Sequence, residues 1–125
     1  MSQSRIHNSE EFARTKENLS KLNLPQCVRG VWAVGASCLS VNDKLKLFSV
    51  FAYFLMRAGV SNRVAIQLLE DWATNQMGFE LIPQEKVVEY ARRGYEPHFK
   101  GCTEAKTIDF GGESFCTYAA TKKSC

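Results

Sequence analysis

A chain of 125 residues, 45% of them hydrophobic, is sized for one domain that can bury a core without cross-links to staple it. A net charge of +3, from 16 basic and 13 acidic residues, is too mild to announce a nucleic-acid binder by composition alone. The polar, charged start MSQSRIHNSEEF lacks a secretory or transit-peptide pattern, and the apolar run from Leu47 to Met56 is too short to span a bilayer, so the expectation is an intracellular protein (cytoplasmic, or nuclear in a eukaryotic source) without membrane contact.

In chain order, Ser9 with Glu10 and Glu11 predicts a helix start, and that first helix runs to about Lys21. Its apolar content is thin, so residues 1–21 are expected to form a peripheral element of a domain whose body is 22–125. Pro25 then breaks the chain just ahead of Cys27. Residues 28–39, apolar with two glycines, fit either a short helix or a loosely wound connector. Asn42 or Asp43 is the expected cap of a central helix in which Leu47, Phe48, Phe51, Phe54, Leu55 and Ala58 recur at helical spacing, with Gly59 as the stop. Ser61 caps the next helix, striped by Val64, Ala65, Leu68, Leu69 and Trp72. Pro83 at a first-turn position opens another, with Val87, Val88 and Ala91 inward, closed by Arg92, Arg93 and Gly94. Strand-like alternation is nearly absent. The predicted fold is therefore mainly α, a single small helical bundle.

From Gly94 onward the composition shifts to Gly, Thr, Ser, aromatic residues and three of the five cysteines. Such a tail has little apolar periodicity to fold on, and a metal would order it. In a reducing compartment five cysteines argue for metal or redox chemistry over disulfides. Cys27 precedes the helical region and Cys102, Cys116 and Cys125 follow it, so a shared centre would clamp the irregular tail to the entrance of the bundle. The spacing, with 74, 13 and 8 intervening residues, is not the tight pair of a zinc ribbon, and four thiolates suit either tetrahedral zinc or a [4Fe-4S] cube. Cys38, set among small and apolar residues, reads as a core hydrophobe and as a substitute for the terminal Cys125.

The order of these features resembles the C-terminal iron–sulfur domain of the large subunit of archaeal and eukaryotic DNA primases, and related helical domains of plasmid or viral primases. Pro25-Gln26-Cys27 is similar to that family's proline-proximal first cysteine. The run Phe54-Leu55-Met56-Arg57-Ala58-Gly59-Val60-Ser61 is similar to its helix end, followed by a second helix with a late tryptophan, here Trp72. Arg92 and Arg93, an aromatic residue and then Gly101-Cys102 are similar to its basic and aromatic lead into the second cysteine. Where the family has an arginine ahead of its apolar helix run, this chain has only Lys44 and Lys46 nearby. The resemblance implies a helical fold around a [4Fe-4S] cluster held by Cys27, Cys102, Cys116 and Cys125, with contacts to template DNA, an initiating nucleotide triphosphate or a catalytic primase or polymerase subunit.

Arg57, Arg92, Arg93, Tyr95, His98, Phe99 and Lys100 are the available cations and aromatic faces for single-stranded template and triphosphate. Arg92 and Arg93 also suit a solvated helix end, where cations complement the dipole. A glycine-rich phosphate loop, a polymerase-like carboxylate pair and a nucleophile–base pair are all missing from the sequence, so the expected role is binding within a priming complex without a catalytic site of its own. The competing expectation is a zinc-bound helical adaptor or transcriptional regulator that binds protein.

Overall fold

The computed structural model describes residues 2–36, 39–76, 79, 82–110, 112, 114 and 115, with the side chains of 2–9 and 34 left aside. Among these residues the chain forms α1 (Ser2–Glu17), a single 3-10 turn (Leu19–Lys21), α2 (Gln26–Val34), α3 (Val41–Arg57), α4 (Asn62–Thr74), α5 (Gln84–Gly94) and α6 (Gly101–Ala105). The mainly helical expectation holds. No helix among the described residues is long and apolar enough to cross a membrane.

α3 is the axis of the bundle, packed against α4, α5 and α6. Its sequence lets it serve three neighbours because Leu47, Phe48, Val50, Phe51, Ala52 and Leu55 are buried on several sides at once. Around Phe48 and Phe51 gathers an aromatic core. Trp72 meets Phe51 edge-on at 5.1 Å and Phe79 at 5.2 Å, and Trp32 lies 5.0 Å from Phe51. The Trp72 indole N–H donates to the Trp32 carbonyl at 2.9 Å, so α2 and α4 are joined by a bond that also satisfies the ring's only polar atom. A second, smaller cluster of Leu55, Val60, Val64, Ala65 and Leu68 lies beside it, with Phe12, Leu19 and Leu22 packed against its edge.

Two close approaches set the position of α5 and α6. A Cβ on Gly94 would strike the Ser49 carbonyl oxygen and approach the Tyr53 backbone nitrogen at 2.9 Å, so α5 crosses α3 almost backbone to backbone. There the Ser49 hydroxyl donates to the Tyr90 carbonyl at 2.6 Å. At Gly101 a Cβ would strike the Tyr53 ring, which therefore lies flush against the first residue of α6.

Several element expectations are corrected. α1 begins near the start of the chain and ends at Glu17, leaving Ser9 inside the helix instead of at its cap. The 28–39 ambiguity resolves into a helix that starts right after Pro25 and ends at Gly35, whose φ of 95° is the left-handed region that glycine tolerates. Ser40, not Asn42 or Asp43, caps α3, its hydroxyl accepting from the Asp43 N–H at 3.2 Å. Ser61 caps α4 as expected, accepting from the Val64 N–H at 3.3 Å, and Gly59 ends α3 with φ of 93°. Pro83 is the residue before α5, one position earlier than read from the sequence.

The largest correction concerns the C-terminal segment. It contains α6, and beyond it Ile108, Phe110 and Phe115 are buried in the main core, with Phe110 and Phe115 in edge contact at 5.7 Å. The Asp109 N–H donates to the Asp43 carboxylate at 3.2 Å, tying this stretch to the first turn of α3. Three widely spaced apolar side chains without helical period suffice to dock it, each supplying roughly 1.5–3 kcal/mol before ordering costs.

Candidate nucleic-acid interface and cysteine set

Tyr53 is the centre of the basic and aromatic face. It sits one turn before Arg57 on α3, and the Arg57 guanidinium carbon lies 5.8 Å from its ring centroid. Phe99 approaches the same ring at 5.8 Å and a tilt of 53°, and Gly101 packs on it. The turn after α5 thereby carries His98, Phe99 and Lys100 to the C-terminal end of α3. Arg57, His98 and Lys100 are exposed, and Phe99 is half-buried. Cys102, exposed on α6, follows directly.

Tyr95 is used differently. Its hydroxyl donates to the Val60 carbonyl at 2.6 Å, which fixes the end of α5 against the loop between α3 and α4. Burial pushes its phenol well above the usual tyrosine range. A hydroxyl and ring edge committed in this way position the neighbouring turn.

Arg92 and Arg93 are exposed on the outer side of α5. Arg93 lies over the Tyr90 ring at 5.0 Å, and both arginines border a shallow depression shared with Glu85, Glu89 and Glu96. Three carboxylates beside two guanidiniums make that surface one of mixed charge. Lys44 and Lys46 are also engaged within the fold. Lys44 is 7% exposed with its ammonium 4.9 Å from the Phe79 centroid, and Lys46 lies 3.7 Å from the Asp43 carboxylate.

Of the cysteines, Cys27 occupies the first turn of α2, half-buried against the main core, and Cys102 the first turn of α6. Cys38, Cys116 and Cys125 lie outside the described residues. Among the described residues no three His, Cys, Asp or Glu side chains are grouped to hold a metal ion. Thiol donors such as these suit both zinc and an iron–sulfur cluster.

Tyr53 is not among the site residues expected from the sequence. The signal that finds it is its spacing of four residues from Arg57 on one helix, combined with two glycines at 94 and 101 that permit close approach. Comparison with protein families, with characterised proteins and with solved structures finds no match.

Proposed function

We propose that the protein is a non-catalytic accessory subunit of a DNA primase or primase-polymerase, binding single-stranded template and an initiating nucleotide triphosphate beside a catalytic subunit. The observation that carries this reading is the Tyr53 ring, which meets both Arg57 and Phe99, with the exposed His98 and Lys100 flanking Phe99 in the chain just ahead of Cys102. Exposed cations next to aromatic edges are the combination that tracks a phosphate backbone and stacks bases. Arg57, His98 and Lys100 supply the phosphate contacts and Phe99 the ring, while Tyr95 positions the turn. Arg92 and Arg93, offset by Glu85, Glu89 and Glu96, contribute at the margin.

In this reading Cys27, Cys102, Cys116 and Cys125 hold a [4Fe-4S] cluster whose role is structural, joining the start of α2 to the end of the chain. The burial of Ile108, Phe110 and Phe115 holds the stretch that precedes Cys116 in the chain against the bundle. Zinc is the alternative occupant of the same donors.

The test is fluorescence anisotropy of labelled single-stranded DNA across a salt series, comparing wild type with the double variant Arg57→Ala plus Lys100→Ala. The variant is expected to bind more weakly at every salt concentration, and its salt slope to fall by roughly 0.7 for each phosphate contact removed. Unchanged affinity and slope would remove this face from the account.

A further inference from the structure

A cavity of ≈ 540 Å³ opens between α1, α4 and α5, on surfaces separate from the Tyr53 face. That volume is in the range of small-molecule sites. Its apolar lining is Phe12 from α1, Phe79 and Ile82 from the stretch between α4 and α5, and Val87 from α5, and the lining also includes Glu70 and Asp71 of α4. Gln67 also lines it, and the Gln67 side-chain carbonyl oxygen is buried with no hydrogen-bond partner among the described residues. A buried acceptor without a donor is costly, and it marks a place where a donor-bearing ligand gains.

The fold already seats one such group at the rim. Lys16 from α1 reaches across to the Asp71 carboxylate at 2.8 Å while its ammonium lies 5.9 Å from the Phe12 centroid. An apolar stem ending in a cation is thus the chemistry this rim accepts. The pair is exposed, with side-chain exposures of 52% and 35%, so an incoming cation can compete for Asp71 at little cost.

We propose that this cavity is a binding site for a small amphiphilic amine, its alkyl or aryl body against Phe79, Ile82 and Val87 and its ammonium on Asp71 in place of Lys16. Helix α1 is the wall that yields, because among the other helices it packs chiefly on α4 and it meets the rim through this ion pair. The neutral member of the same alkyl series binds more weakly for want of the ion pair, and the acidic member is rejected by the carboxylate rim.

The test uses octylamine, which is protonated at neutral pH, octanol and octanoate as probes of equal chain length below their micellar concentrations. Amide chemical shifts of Thr74, Ile82 and Val87 are expected to move saturably with octylamine, less with octanol and not with octanoate. Asp71→Asn is expected to weaken octylamine binding by roughly fivefold, the upper effect of an exposed ion pair, and Lys16→Met to strengthen it by removing the competing cation. The Trp72 indole N–H resonance, held by its bond to Trp32, reports in each variant that the core is intact. Absence of saturable shifts with octylamine, equal shifts with octanoate, or identical affinity in both variants and wild type would overturn the proposal. Loss of DNA binding in the Arg57→Ala plus Lys100→Ala variant does not bear on it.

Discussion

Single atoms decide how the turns of this bundle are held. The Tyr95 hydroxyl bonded to the Val60 carbonyl anchors the last turn of α5, and burial raises its phenol above the ordinary value near 10. Because the folded-state value is the higher one, its contribution is fully present below the unfolded value of about 10 and is lost as pH climbs through the folded value. Stability measured by urea denaturation is therefore expected to fall as pH rises above about 10, and Tyr95→Phe to show a shallower fall over the same window. An equal alkaline loss in that variant would place the effect elsewhere. The caps act at the same scale. Replacing Ser61 with alanine removes the acceptor for the Val64 N–H and is expected to cost about 1 kcal/mol, seen as a melting temperature lower by roughly 3–5 °C.

At the scale of elements, the glycines of α5 and α6 determine where the proposed interface sits. Gly94→Ala forces a methyl into the Ser49 carbonyl, a backbone atom that cannot rotate away, so α5 must lift from α3. A loss of roughly 3 kcal/mol or more is expected in chemical denaturation. Gly101→Ala meets the Tyr53 ring instead, which can tilt, so the expected cost is smaller and falls on the Tyr53–Phe99 contact. If Gly101→Ala were as destabilising as Gly94→Ala, the ring would be as rigidly held as backbone.

The elements also show what the sequence could and could not disclose. α3 and α4 were legible because their apolar stripes, serine cap and Gly59 stop all agree. The α3 cap fell two residues earlier than expected because Ser40 competes with Asn42 and Asp43, and only backbone geometry shows which hydroxyl or carboxylate meets a free N–H. α6 was not legible at all. Its five residues are too few to display a period, and its place depends on contact with Tyr53, a partner 48 residues away in sequence between positions 53 and 101. The docking of Ile108, Phe110 and Phe115 escaped for the same reason, since burial by long-range packing leaves no local pattern.

For the whole molecule, one helix organises everything else. α3 gathers the aromatic core on one side and the Tyr53 face at its C-terminal end, so the fold that buries Phe48 and Phe51 also displays Arg57. The candidate site was partly legible. Arg57, His98, Phe99 and Lys100 stand out in the sequence as charges and rings, but the meeting of Phe99 with the Tyr53 ring beside Arg57 depends on the turn after α5 and is visible only in three dimensions. Arg92 and Arg93 look equivalent to them in sequence, and Glu85, Glu89 and Glu96 bordering the same depression separate the two groups. Of the cysteines singled out by composition, Cys27 and Cys102 stand at the first turns of α2 and α6, which flank α3 in chain order.

The most direct test of the account is iron, acid-labile sulfide and zinc analysis of the full chain prepared without oxygen, together with its absorption spectrum. The proposed cluster predicts about four iron and four sulfide per chain with broad visible absorbance, and loss of that absorbance in Cys27→Ser and Cys102→Ser. A colourless protein carrying one zinc, or a metal-free protein whose stability is indifferent to both substitutions, would contradict it.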